Sequence, residues 1–238
     1  MDFVYSQSPW VLPKDPEGTE KIFSDHGWKV TFNDHEVIPF GLEKRVYFIR
    51  KGLFATLAGG AGDFSRMVGL FPAGTTLGAI RAISQPGNEM PLMAKALLPV
   101  EALALDIPLY LRELEKDPAF LSLTKTNFIL KEEAQVEGLL MNGLLTVPKR
   151  LALIILSLFK AGNGIPGDAV TPLPGSITVT DLAALIHSNR GVVSRTLSGW
   201  AREGLISELN GRYAFTKPFQ RQSFKGSNSK ESRSVPKR

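Results

Sequence analysis

The chain has 238 residues, of which 43% are hydrophobic and 21% charged, and it contains no cysteine. This composition is typical of a folded protein of one or two domains. The lack of cysteine excludes disulfides, thiol catalysis and cysteine-ligated iron–sulfur clusters. The longest apolar run, Leu151 to Phe159, is shorter than the roughly 20 residues that span a bilayer, and the N-terminus does not resemble a signal peptide. We therefore expect a cytoplasmic protein that does not enter the membrane.

The net charge of +5 is distributed unevenly along the chain. Residues 1–145 carry 14 Lys and Arg against 18 Asp and Glu, a net charge of −4, whereas residues 146–238 carry 14 against 5, a net charge of +9. A basic half of this size favours a polyanionic partner, because neutralising phosphates releases counterions. A basic tail and a solvated surface would give the same asymmetry, so its weight depends on the motifs in that half.

Short apolar runs separated by glycines predict a β domain between Glu36 and Asp106. The runs are Val46–Ile49, Leu53–Leu57, Met67–Phe71, Met93–Leu98 and Glu101–Leu105. Strands at about 8–12-residue spacing indicate a sandwich or barrel, for which a jelly roll is a plausible form. His26 and His35 do not form a ligand-like cluster, so we do not expect a metal-dependent barrel enzyme.

The segment from Pro108 to Leu145 is predicted to be helical. Its stripe alternates intervals of three and four residues, as in a coiled-coil seam, and comprises Phe120, Leu123, Asn127, Leu130, Ala134, Glu137, Met141 and Leu144. Asn127 would set the register of a parallel dimer. The same stripe fits a helix that packs on its own barrel. Gly138 and Gly143 weaken the end of the helix, and we place a hinge near them.

The segment Ile177–Ile206 has the pattern of two short helices joined by a tight turn. Thr178 and Asp181 have the spacing of a capping box at the start of the first helix. Asn189 is a good N-cap for the second helix, Arg190 to Arg202, whose buried stripe is Val193, Leu197 and Trp200. The other side of that helix presents polar and basic residues near its start, as a recognition helix does.

A β-hairpin is predicted directly after these helices, because Asn210-Gly211 supplies the positive φ angles of a type I′ turn. Helix-turn-helix plus hairpin predicts a winged helix. We therefore divide the chain into a β barrel at 1–110, a central helix at 111–145, a winged-helix domain at 146–217 and a basic tail at 218–238 that we expect to be disordered.

This order of elements resembles the Crp/Fnr family of bacterial transcription regulators. The most specific segments are Ile177–Ile206 and Val147–Ala152, the latter similar to the start of the family's first DNA-domain helix. Val46–Gly52 is similar to the family's strand that ends in a turn glycine, and Phe71–Gly78 to the start of its ligand cassette. The resemblance implies an α+β fold with a jelly-roll-like barrel of the cyclic-nucleotide-binding type, a homodimer joined along the central helices, a palindromic site in double-stranded DNA and a small effector between barrel and helix.

Departures from the family pattern restrict the effector. Ala79 stands where cyclic-nucleotide members have Glu, and their Arg-Ser pair aligns with Met90-Pro91. A buried phosphate would lack partners here, which argues against cyclic AMP. We expect an apolar or aromatic effector and no cofactor, haem being possible only through His26, His35 or an unusual ligand. The predicted lining, each member of which also fits an ordinary core position, is Phe48, Met67, Phe71, Leu77, Gly78, Met90, Met93, Ile129 and Val136.

The resemblance also assigns DNA contacts. Ser194 and Arg195 match the family's Ser-Arg, and Arg195 is the candidate for bidentate contact to guanine. Gly191 replaces a Glu that accepts a hydrogen bond from cytosine, so we expect relaxed preference at that base pair. His187 replaces the turn glycine, at the cost of some strain. The complete predicted interface is Lys149, Thr178, Thr180, Asn189, Arg190, Ser194, Arg195, Asn210 and Arg212.

These observations predict a dimeric, ligand-responsive, sequence-specific transcription regulator and not an enzyme, with RNA polymerase as a further partner if it activates. Three alternatives stay open: an effector-independent DNA-binding protein with a vestigial barrel, a haem-based gas sensor, and a barrel enzyme with an appended DNA domain. The last requires a catalytic cluster, and the sequence has neither a histidine cluster nor a Gly-x-Ser-x-Gly elbow.

Overall fold

A computed structural model describes residues 9–40, 44–58, 66–84, 92–161, 171–173, 176–209, 212–215 and 219. The N-terminal part comprises α1 Thr19–His26, β1 Trp28–Phe32, β2 Val37–Phe40, β3 Arg45–Ala58, β4 Arg66–Pro72, β5 Thr76–Leu77, α2 Ala79–Ser84 and β6 Leu92–Asp106. The remaining elements are α3 Ile107–Glu115, α4 Pro118–Leu144, α5 Val147–Ala161, β7 Thr171–Pro172, α6 Val179–Leu185, α7 Arg190–Arg202, β8 Ile206–Leu209 and β9 Arg212–Phe215.

The N-terminal domain is an antiparallel sheet built around the long strands β3 and β6. Its strand order is β1-β6-β3-β4, with β2 also paired to β6 and β5 also paired to β3. The predicted α+β class and jelly-roll-like β domain are thereby confirmed. The strands β1 and β2 were not predicted, because Trp28–Phe32 and Val37–Phe40 lack a buried alternating face strong enough to detect.

The predicted strand end at Gly52 is wrong. β3 continues through Gly52, where its pairing with β6 shifts register between Ile49 and Leu53. Gly52 has a φ of 94°, and a Cβ there would lie 2.2 Å from the carbonyl oxygen of Pro99. The glycine therefore permits an irregularity inside one strand, which a sequence pattern does not distinguish from a turn.

The predicted single helix from Pro108 to Leu145 is in fact two helices, α3 and α4. Asp117 separates them and caps α4, its side chain accepting hydrogen bonds from the backbone N–H groups of Ala119 and Phe120. Pro118 then occupies the first helical position, where its missing N–H costs nothing. α4 runs without interruption to Leu144, so the hinge predicted near Gly138 and Gly143 is not a break in this helix.

The C-terminal domain has the predicted helix-turn-helix followed by the hairpin β8–β9, with Leu209 paired to Arg212. A third strand, β7, pairs with β9 and was not predicted. The turn residues Asn210 and Gly211 and the tail after Phe219 lie outside the described residues. One hydrophobic cluster runs from Leu70 of the barrel to Leu197 of α7, so the two domains share a core.

Candidate functional site

The predicted capping box at the start of α6 is present. Thr178 Oγ1 accepts the Asp181 N–H at 3.1 Å, and Asp181 Oδ2 accepts the Thr178 N–H at 2.9 Å. The Thr178 hydroxyl donates its own hydrogen to the same carboxylate at 2.7 Å. Thr178 is thus already engaged in the cap, whereas Thr180, two residues on, is exposed and available to a phosphate.

The second helix presents its basic residues to solvent. Asn189 caps α7 by accepting the Val192 N–H at 2.9 Å, as predicted. Val193 and Leu197 are buried, which turns Arg190 and Arg195 outwards. Ser194 lies between these faces and is half-buried. The exposed guanidinium groups near the N-terminus of α7 can therefore reach an approaching anion without any rearrangement of the helix.

Gly191 contributes open space at the start of α7. A Cβ built there would lie 3.7 Å from Nη1 of Arg195 and 3.4 Å from Oδ1 of Asn189, which are ordinary contacts. A side chain at this position would therefore fit sterically and would lie beside Arg195. Because Gly191 has no side chain, the Arg195 guanidinium has no acidic neighbour at this position.

The turn between α6 and α7 is anchored to the barrel. His187 has a φ of 51°, in the left-handed region predicted for this turn. Its Nε2 lies 3.0 Å from the carbonyl oxygen of Met67 in β4, which places the ring proton on Nε2. Burial lowers the pKa of His187, and the charges of Arg66 and Arg150 act in the same direction against the effect of the Met67 hydrogen bond.

A second contact between the domains, not predicted from the sequence, joins α6 to β6. The Nζ atom of Lys95 donates to Oδ1 of Asp181 at 2.6 Å, and Nδ1 of His35 lies 4.0 Å from Oδ2. The Asp181 side chain is 2% exposed, so the capping carboxylate is also an interdomain ion-pair partner. No local pattern reveals this double role, because Lys95 and Asp181 are 86 residues apart.

The start of α5 contributes one exposed basic residue, Lys149. Its neighbour Arg150 instead turns inwards and donates to the carbonyl oxygen of Asn142 in α4, and the Asn142 amide donates to the carbonyl oxygen of Leu185 in α6 at 3.2 Å. The predicted contact residue Asn210 and the side chain of Arg212 lie outside the described residues.

The predicted effector lining is spread over three hydrophobic clusters and the exposed face of α4. Met67 packs in the cluster shared with the DNA domain, Phe71 and Leu77 in the barrel interior, and Phe48 beside α3 and α4. Ile129 and Val136 are 61% and 52% exposed and lie on the outward face of α4. Met93 is half-buried. Gly78 has a φ of 94°, and a Cβ there would lie 3.0 Å from the carbonyl oxygen of Arg45. Met90 lies outside the described residues.

The cleft between barrel and α4 is filled by residues 9–16 of the chain itself. Leu12 donates its N–H to Leu70, and Leu70 donates to Trp10, so the segment runs beside β4. Trp10 and Leu12 are buried. The backbone N–H of Trp10 donates to the carbonyl oxygen of Ala134 in α4. A Cβ at Gly138 would lie 2.2 Å from the Trp10 ring, so this glycine allows the indole to contact the helix backbone.

The same segment supplies a buried ion pair. Both carboxylate oxygens of Asp15 lie 2.8 Å from Nζ of Lys131 in α4, and each side chain is 1% exposed. Thr76 of β5 donates its N–H to Asp15 Oδ2 at 2.5 Å and its hydroxyl to Oδ1 at 3.2 Å. The donors of two elements therefore converge on one carboxylate. Burial lowers the pKa of Lys131, and the Asp15 carboxylate opposes this shift.

The outward face of α4 is apolar and exposed. Its large hydrophobic residues are 42% to 61% exposed and comprise Leu123, Ile129, Leu130, Val136, Leu139, Leu140 and Leu144. Three members of the predicted seam, Asn127, Ala134 and Met141, are instead buried against the rest of the chain. Asn127 donates to the carbonyl oxygen of Lys14 and cannot set a dimer register from that position. No helix of the described residues is long and apolar enough to cross a membrane.

Comparisons with known proteins agree with this geometry. Residues 149–218 match the family model of the Crp-like helix-turn-helix domain. No curated protein sequence matches the chain significantly.

Solved structures with the same fold include CLP, a c-di-GMP-responsive global regulator of Xanthomonas campestris, with 16% identity and a TM-score of 0.68 over 84% of this chain and 99% of that chain. A CRP/FNR-family transcriptional regulator of Thermus thermophilus has 21% identity and a TM-score of 0.65 over 82% and 98%. FixK2 of Bradyrhizobium japonicum has 15% identity and a TM-score of 0.62 over 82% and 94%.

Proposed function

We propose that this chain, which carries a Crp-like helix-turn-helix domain in the fold of the Crp/Fnr transcription regulators, acts as a homodimer that binds an inverted repeat in DNA and regulates transcription. The observation that carries the proposal is the exposed basic start of α7 on a buried hydrophobic stripe. Arg190 and Arg195 would enter a major groove, where Arg pairs with guanine O6 and N7. Lys149 and Thr180 would contact phosphates and fix the orientation of the domain.

The exposed face of α4 supports the dimer. An exposed apolar stripe from Leu123 to Leu144 of this 27-residue helix is costly in water and is of the kind that a second helix covers. Packing of the two α4 helices would relate the two α7 helices by twofold symmetry. An operator with half-sites one DNA turn apart, about 34 Å, matches this arrangement.

Ligand responsiveness is part of the proposal, but the cleft where we expected the effector is occupied by residues 9–16. An effector between barrel and α4 must therefore displace this segment or bind beside it. Such a ligand would shift the equilibrium between two arrangements of α4, and so the spacing of the recognition helices. RNA polymerase is the expected additional partner if the protein is an activator.

Selection of bound sequences from a random duplex pool at fixed salt tests the proposal. We expect enrichment of an inverted repeat with half-sites one turn apart. On that site, Arg195→Ala should weaken binding about 5- to 150-fold, the equivalent of about 1–3 kcal/mol for one bidentate base contact. Arg202→Ala is the matched control, since Arg202 is exposed at the far end of the same helix. If the two variants bound equally well, or if no repeat were enriched, the assignment of α7 would be wrong.

A further inference from the structure

The environment of Asp15 has the construction of a binding site for a carboxylate. Lys131 is fully buried, with Nζ 2.8 Å from each oxygen of Asp15, and the N–H and hydroxyl of Thr76 donate to the same group. Nζ also donates to Thr76 Oγ1 at 3.2 Å and lies 5.5 Å from the centre of the Phe128 ring. Charge-assisted hydrogen bonds of this kind are the strongest that an anion makes with a protein.

Asp15, which supplies the carboxylate, lies outside the helices and strands, whereas the residues that donate hydrogen bonds to it lie within them. Lys131 lies in α4 and Thr76 in β5, whereas Asp15 lies in the irregular segment before α1. That segment is attached by single backbone bonds to neighbouring elements, such as Asp15 N–H to the Gly74 carbonyl oxygen at 2.8 Å. The donors therefore belong to regular elements of the fold, and the anion is supplied by an irregular segment.

Buried polar atoms near Asp15 lack partners among the residues that the structure describes. They include Oδ1 of Asn127, one helical turn before Lys131, and the hydroxyl of Tyr110. Burial raises the pKa of Tyr110, and the negative charge of Asp15 acts in the same direction. The indole Nε1 of Trp10, on the segment itself, is also without a partner. Unsatisfied buried groups are rare in folded proteins and commonly indicate a water or ligand.

We propose that Lys131 and Thr76 form a carboxylate-binding site between barrel and α4, and that Asp15 occupies it as an internal ligand. A free carboxylate binds at the same donors when the Asp15 side chain is withdrawn. Asp15 ties the end of residues 9–16 to α4, so exchange of the internal for a free carboxylate releases the part of the segment around Asp15, while Trp10 and Leu12 stay packed. The effect of that release on DNA affinity rests on the proposed function, but occupation of the site does not.

The occupancy of the site can be tested without DNA, by rescue of the full chain. Asp15→Ala removes the carboxylate and leaves space for formate beside Lys131 and Thr76. At constant ionic strength the thermal midpoint of this variant should rise with formate concentration, as mass action at one site requires. The same concentrations of chloride or phosphate should raise it less. Hydrogen exchange in α4 around Lys131 should slow in parallel. If Asp15→Ala fails to fold in chloride, recovery of folded protein in formate is the readout.

Two variants separate site binding from general salt effects. Asp15→Asn fills the space with a neutral side chain, and Asp15→Ala with Lys131→Met removes the cation, so formate should stabilise neither. Equal responses in chloride and formate for Asp15→Ala, or equal stabilisation of Asp15→Asn by formate, would overturn the proposal. A response to phosphate alone would also overturn it, because it would assign a different anion. A failed operator selection with successful formate rescue would refute the DNA-binding function and leave the carboxylate site standing.

Discussion

Two glycines of α4 provide a matched test of how residues 9–16 pack. An ideal Cβ on Gly138 would lie 2.2 Å from Cδ1 and 2.6 Å from Cγ and Nε1 of Trp10, whereas one on Gly143 has nothing within 4 Å. A carbon pair is most favourable at about 3.5–4.0 Å, so in Gly138→Ala the rigid indole would have to retreat by about 1.3 Å. Gly143→Ala needs no adjustment.

The two variants should therefore change stability in opposite directions. Both gain helix propensity, worth up to about 1 kcal/mol per Gly→Ala replacement. Gly138→Ala also overpacks a fully buried indole, at a cost of about 1–3 kcal/mol. Complete expulsion of Trp10 would remove about 200 Å² from burial and cost about 5 kcal/mol, which is the upper limit. We expect Gly138→Ala to be less stable than Gly143→Ala by about 1–3 kcal/mol.

Thermal and urea unfolding of both variants measure this difference, and hydrogen exchange of residues 9–16 locates it. In Gly138→Ala the amide of Trp10, which is bonded to Ala134, should exchange faster than in the unsubstituted chain. In Gly143→Ala its exchange should not change. If Gly138→Ala were as stable as Gly143→Ala and protected Trp10 equally, the indole could not lie against the α4 backbone, and our account of the cleft would fail.

Three further predictions concern the domain contact and the dimer. The pKa of His187 is lowered in the folded chain, so stability should fall as the pH drops below the pKa of an unfolded histidine, about 6.5. His187→Asn should flatten this pH dependence of the thermal midpoint. An unchanged pH profile would contradict the burial of His187. Asp181→Asn should lower the free energy of urea unfolding by about 2 kcal/mol, because it weakens charge-assisted hydrogen bonds both in the cap and to Lys95. Lys95→Met leaves the cap intact and should cost less. Equal losses of stability in the two variants would place the whole effect at the domain contact. Leu140→Glu should shift sedimentation mass towards the monomer, since it puts a charge on the apolar face of α4, and an unchanged mass would exclude this face as the dimer contact.

Local patterns predicted the C-terminal domain well. The capping box of Thr178 and Asp181, the Asn189 cap and the span Arg190–Arg202 agree with the structure. Each depends on residues three or four apart, and such patterns report local geometry directly. The exposed positions of Arg190 and Arg195 follow, because the buried stripe of an amphipathic helix determines which side chains remain outside.

Predictions failed where one pattern serves two structures. The glycine at 52 is typical of a turn, but here it permits a register shift inside β3. The stripe along α4 fitted either a dimer seam or packing on the barrel, and in the structure one part of it is exposed and the other buried, as Leu130 and Ala134 show. Periodicity shows that a face is apolar, and only the surrounding elements determine what covers each position.

The sequence by itself determined the order of barrel, central helical segment and winged helix, and the basic surface of α7, because short-range spacing and charge suffice for these. Only the tertiary structure decided the contents of the cleft. Trp10 meets Gly138, Asp15 meets Lys131 and Lys95 meets Asp181 across 86 residues or more. A lone tryptophan and an aspartate near an N-terminus carry no local signal. Their roles arise from desolvation and charge pairing, which exist only after the barrel and α4 have enclosed them.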